Sequence, residues 1–161
     1  MTHGAPVFAA LLGLAVLLST SGSIADGLDR IQPAATAAPG SHALPAGVLD
    51  STWQWTWFGS GAEQFEVDHS ERYTLQFSAD GNLAIQADCN RGRAGFTVAA
   101  AGRISISPVA KTMMLCPEGS LEGKFVRALE RVRTYFEKDG DFFLEIPLDS
   151  GTLRFRRESA D

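Results

Sequence analysis

The chain is poor in the residues that most often carry chemistry. Of its 161 residues, three are histidine and two are cysteine. His3, His42 and His69 fall in an apolar leader, a proline-containing stretch and a polar loop, so they offer no metal-ligand spacing. Cys89 and Cys116 lack the C-x-x-C spacing of a redox pair. Lys111-Thr112 is not preceded by the glycines of a phosphate-cradling loop. Asp68-His69-Ser70 contains three triad residue types, but a triad needs converging side chains, which adjacency in sequence does not supply. No paired acid and base stands out. The sequence therefore assigns no catalytic residue, no metal ligand and no cofactor, and the chain is expected not to be an enzyme. Positive charge is also scarce: 14 Lys and Arg against 19 Asp and Glu give a net charge of −5. Without a clustered basic face, nucleic acid is not an expected partner. There is no internal repeat and no sign of a second domain.

The first 25 residues contain no Asp, Glu, Lys or Arg. Residues 7–18 form a nearly unbroken apolar run, shorter than the roughly 20 residues of a spanning helix. Ser23-Ile24-Ala25 then resembles an A-x-A cleavage site. Residues 1–25 are expected to be a secretory signal peptide, although the usual basic residue before the run is absent; a retained anchor is the alternative. No cysteine near the cleavage point offers a site for lipid attachment. The mature chain is expected to be a periplasmic or secreted monomer with no membrane span. Residues 26–47 are rich in Ala, Pro, Gly, Ser and Thr and too poor in apolar surface to offset ordering entropy, so they are expected to be a flexible linker. The folded domain is expected over residues 48–158.

Trp53, Trp55 and Trp57 alternate with polar residues, and a period of two places all three indoles on one strand face. That face reads as core wall or, more sharply, as an aromatic platform for a flat ligand such as a sugar. Residues 59–70 read as a loop. Residues 73–77 and 82–86 alternate around Ala79-Asp80-Gly81 and form a hairpin. Residues 88–95 read as a glycine-containing turn, after which strands resume at Phe96 and Arg103. Leu121, Phe125, Leu129 and Val132 then make the stripe of an amphipathic helix, with Ser120 as N-cap and Arg131 and Arg133 at the negative end. Strands return at residues 135–136, 142–146 and 152–156. The fold class is α+β: a strongly curved antiparallel sheet, a partial barrel, packed around one helix.

Two cysteines in an exported chain suggest one bridge, tying the middle of the sheet to the start of the helix; two thiols are the alternative. Asp88, Asn90, Arg91 and Arg93 form a polar cluster beside Cys89. With Lys111, the residues Asp88, Asn90 and Arg91 make a candidate contact patch. The plainer reading has Asp88 and Asn90 satisfying backbone groups of a turn while the arginines face water.

Several of these pieces, in this order, resemble the META domain family, also called HslJ-like after a heat-shock-associated member. They are the opening Leu49-Asp50-Ser51-Thr52-Trp53, the strand and turn from Leu75 to Gly81, Cys89-Asn90-Arg91 followed by Gly95-Phe96, and Lys111-Thr112-Met113-Met114-Leu115-Cys116-Pro117. The family usually has Gly where Asp88 stands, and Asp is among the residues that tolerate a strained backbone there. The resemblance implies a small β-rich domain with one helix, commonly exported or lipid-anchored in bacteria. It brings no established reaction, a loose association with stress and envelope integrity, and no agreed active site. The function expected is a non-enzymatic binding or maintenance module of the cell envelope acting on an unidentified envelope protein or glycan. The alternative is a secreted inhibitor or ligand-binding module directed at a hydrolase or cell-wall glycan.

Overall fold

The computed structural model describes residues 43–159. The expected signal peptide and linker residues 26–42 lie outside the described residues. The elements in order are β1 (Thr52–Gly59), β2 (Gln64–Glu66), β3 (Tyr73–Phe77), β4 (Asn82–Ala87), β5 (Asn90–Ala99), β6 (Arg103–Ile106), β7 (Ala110–Lys111), α1 (Glu122–Arg131), β8 (Thr134–Lys138), β9 (Asp141–Ile146) and β10 (Gly151–Arg157). A short 3-10 turn, Ser70–Arg72, leads into β3.

Rather than ending as a partial barrel, the antiparallel sheet closes. Its order runs β1-β3-β4-β5-β6-β8-β9-β10, and β10 returns to pair with β1 from Trp53↔Arg157 to Gly59↔Thr152. Closure removes the free edges that an open sheet would present. The narrowest seam is β6 to β8, with the single register pair Arg103↔Thr134. There Gly102, at φ +69°, lets the Tyr135 carbonyl approach to 2.8 Å of where a Cβ would stand.

Two aromatic layers fill the barrel. Around Trp55 are Phe58, Phe65, Tyr73 and, stacked at 4.9 Å, Phe125 of α1. Phe142 meets Trp53, Phe77 and Tyr135, and Phe155 touches both Phe125 and Phe142. Of the expected stripe, Phe125 and Leu129 on the helix and Val132 at its C-cap are buried in the core, with Ala128 beside them, while Leu121 at the N-cap is partly buried. It covers the barrel end at which β3 starts and β4 finishes. The helix begins at Glu122, with Leu121 at its N-cap, yet the Ser120 hydroxyl still accepts the Glu122 N–H at 3.2 Å. At the other end the Arg133 guanidinium donates to the Glu130 and Val132 carbonyls.

Four further expectations are corrected. The three indoles do not share a face: Trp53 and Trp55 are fully buried, whereas Phe58 takes the inward position expected of Trp57. The cause is a bulge, since Trp55 pairs with Phe155 and Trp57 with the adjacent Arg154, leaving Thr56 unpaired. Trp57 turns outward, packs over Gly59 and lies 5.9 Å from the Arg154 guanidinium, and its carbonyl accepts the Trp55 indole N–H at 2.9 Å. The linker ends earlier than Gly47, because Leu44 is buried in the core. The loop over residues 59–70 contains β2, which continues along the edge of β1 past β3. Finally, residues 90–95 are strand: β5 runs through Gly92 and Gly95, and Gly92 is needed because Val109 and the Ala110 carbonyl crowd the place of its side chain.

Candidate functional site

The connection between β4 and β5 is a two-residue turn, Asp88-Cys89, because Ala87 pairs with Asn90. Asp88 has φ 57°, the left-handed region that Gly, Asn and Asp tolerate. Its carboxylate is buried; it pairs with the Arg72 guanidinium and accepts the Tyr73 hydroxyl at 3.3 Å. That hydroxyl in turn accepts the Leu121 N–H at 2.9 Å, so the turn, the head of β3 and the start of α1 are held by one polar chain.

Asn90, with 2% of its surface exposed, fastens the segment that leads to the helix. Its carbonyl oxygen accepts the Met114 N–H and the Thr112 hydroxyl, both at 2.8 Å, and its amide nitrogen donates to the Met114 carbonyl at 3.0 Å. One side chain thus engages both backbone groups of Met114, as a neighbouring strand would. Thr112 and Arg91 also exchange bonds: the Arg91 N–H donates to the Thr112 hydroxyl at 3.1 Å and the Thr112 N–H to the Arg91 carbonyl at 3.0 Å. The Cys89–Cys116 disulfide closes the far end of the same segment. It ties a hairpin turn at the rim of the barrel, rather than the middle of the sheet, to the approach to α1.

Between these fastenings stand three apolar residues in water. Met113 is 84% exposed, Met114 61% and Leu115 100%. Lone exposed apolar residues are ordinary, but three in a row on a fixed segment are not. Leu148, also almost fully exposed, lies in the β9–β10 turn at the same barrel end, at φ 62°.

The candidate contact patch is divided by the fold. Asp88 and Asn90 are internal fastenings and cannot meet a partner directly. Lys111 sits 2.8 Å from Glu122 Oε1, an ion pair off the line of a good hydrogen bond. Arg91 alone of the four is exposed. The aromatic platform is likewise dispersed by the burial of Trp53 and Trp55. The residues that sequence reasoning passed over are Thr112, Met113, Met114 and Leu115. Their signal was an apolar run between a β-strand and a helix that followed neither period. Among the described residues, no group of three His, Cys, Asp or Glu side chains could hold a metal ion. No helix among them is long and apolar enough to cross a membrane.

A closed antiparallel barrel holding one helix in its mouth, with a disulfide-closed loop beside that helix, defines the class. The META domain model matches residues 46–160, and the chain belongs to the META domain family. Among solved structures, a DUF4847 family protein from Bacteroides vulgatus ATCC 8482 is similar, with a TM-score of 0.51 at 14% identity over 71% of this chain and 96% of that one. At that identity the likeness speaks to the fold alone. No curated protein matches the chain.

Proposed function

We propose that this META-domain protein is an exported, non-enzymatic binding module of the cell envelope, acting in stress or maintenance through contact with another protein. The observation that carries the reading is the fastened tip Met113-Met114-Leu115. Each such side chain left in water forgoes roughly 1.5–3 kcal/mol of burial free energy. A partner with an apolar pocket would recover part of it, and because the tip is already ordered, little conformational entropy would be lost on docking. Methionine suits such a contact through its adaptable, polarisable side chain. The disulfide supports export, since such bonds persist in oxidising compartments.

The test is paired affinity capture from envelope extract. Wild-type protein and a variant with Met113→Ser, Met114→Ser and Leu115→Ser are compared under identical conditions. The reading expects a discrete protein retained by the wild type and lost by the variant at unchanged stability. Equal retention by both would refute the tip as the contact.

A further inference from the structure

A second surface lies on the outside of the barrel across β3, β4 and β5 and meets the base of the apolar tip at Lys111 and Thr112. Strand alternation sends Arg91 and Arg93 outward from β5, while Asn90 and Ala94 point into the protein. The cross-strand register then builds two rows over this face. One runs Thr74↔Gln86↔Arg91, and the other Thr52↔Gln76↔Ala84↔Arg93. The floor is low because Ala84 and Ala110, which flank Arg93 on the neighbouring strands, carry short side chains, and an open groove of about 760 Å³ results.

The groove carries charge opposite in sign to that of the chain. The whole chain carries −5, yet no Asp or Glu lines this groove. Among the described residues the cationic members of ion pairs are His69, Arg72, Lys111, Lys124, Arg154 and Arg156, so neither Arg91 nor Arg93 has a carboxylate partner. Lys111 at the margin is already neutralised by Glu122. Two exposed guanidinium groups therefore stand on one strand face, roughly 7 Å apart along the backbone by the strand rise. Beside them are hydroxyl and carboxamide side chains that can both donate and accept hydrogen bonds.

We propose that this groove binds an acidic polysaccharide. Arginine is suited to carboxylate or phosphate groups through paired N–H donors, and Thr74, Gln76 and Gln86 offer mixed donors and acceptors to the hydroxyls between them. Other polyanions fit less well. Single-stranded nucleic acid is held by aromatic stacking platforms, and this groove has no aromatic side chain. An extended acidic peptide commonly docks by adding a strand to a free edge; β3, β4 and β5 are paired on both sides, and β7, which pairs with β5 alone, is only two residues long. The proposal extends beyond the protein contact inferred for the apolar tip and does not depend on it.

The test titrates the purified protein with oligogalacturonate at low and at physiological ionic strength. A neutral maltooligosaccharide of matched length and polyglutamate are the comparison ligands. The variant is Arg91→Gln with Arg93→Gln; its control is Arg127→Gln with Arg131→Gln, which removes the same charge from exposed positions on α1. Binding of the galacturonate, stronger at low salt, absent for the neutral sugar, weaker for polyglutamate and reduced about tenfold or more in the groove variant alone, is the result expected. No binding, equal loss in the control, or equal affinity for polyglutamate would overturn the proposal. Serine substitution of the tip should leave galacturonate affinity unchanged, so failure of either surface is distinguishable from failure of the other.

Discussion

The barrel interior and the loop from Thr112 to Cys116 are both held in place, but by opposite means. Inside the barrel, Trp55 and Phe125 are fully buried and stacked, and their order follows from apolar area removed from water and close packing. In the loop the side chains face solvent, and order comes from the buried Asn90 amide at one end and a covalent bond at the other. Packing fixes a region by hiding its side chains. Polar and covalent fastening fixes a region while leaving its side chains available, which is what a contact surface requires.

Substitutions separate the two modes. Phe125→Ala should have the largest effect, about 3–5 kcal/mol of global stability, because it opens a cavity beneath Trp55 in the centre of the core. Denaturant unfolding would check it, and a loss below about 1 kcal/mol would mean that the helix is not seated in the barrel. Replacing both cysteines by serine should cost about 3–4 kcal/mol on the chain-entropy model for the 27-residue separation, with the far-ultraviolet signal of the barrel retained. Asn90→Ala should cost about 1–3 kcal/mol, since Met114 and Thr112 lose their shared partner. Its effect should concentrate in the loop, seen as faster proteolysis at residues 112–116 while the barrel resists. Serine at Met113, Met114 and Leu115 should change stability by less than about 0.5 kcal/mol, since those side chains are buried against nothing.

The smallest effect lies at the other barrel end. The Asn82 side-chain amide, at 2.7 Å, and the Asn82 N–H, at 3.0 Å, hold the Asp80 carboxyl below its usual range. A folded-state value below the unfolded one stabilises above the ordinary carboxylate range and is lost as pH falls through the lowered value. Asn82→Ala should therefore be slightly less stable than wild type near neutrality, and the gap should close in acid. A gap that widens in acid would mean that the bond is not formed.

Legibility divided along the same line as the two modes of order. Periodicity located the longer half-buried strands and the helix stripe because burial imposes a period, and Leu121, Phe125, Leu129 and Val132 could be read directly; the short β2 and β7 and the glycine-containing first half of β5 show no such period and were missed. Barrel closure could not, since the pairing of β1 with β10 joins the two ends of the domain and leaves no local pattern. The bulge at Thr56 reversed the facing of Trp57, because one inserted residue shifts every later side chain to the opposite face and nothing in the residue types marks it. At the site, the two cysteines suggested the bridge, and the polar cluster around Asp88 and Asn90 was visible. The direction of Asn90 toward Met114, 24 residues away, was not, because it depends on a tertiary approach that spacing does not encode.

The most direct test of the account is amide hydrogen exchange at Met114. Its side chain is mostly in water, but its N–H donates to the buried Asn90 oxygen at 2.8 Å. The account predicts protection of this amide well above that of an unstructured loop in wild type, and loss of that protection in Asn90→Ala while the β3 and β4 amides stay protected. Exchange at the unprotected rate in wild type would contradict it, for the tip would then be a free loop rather than a fastened one.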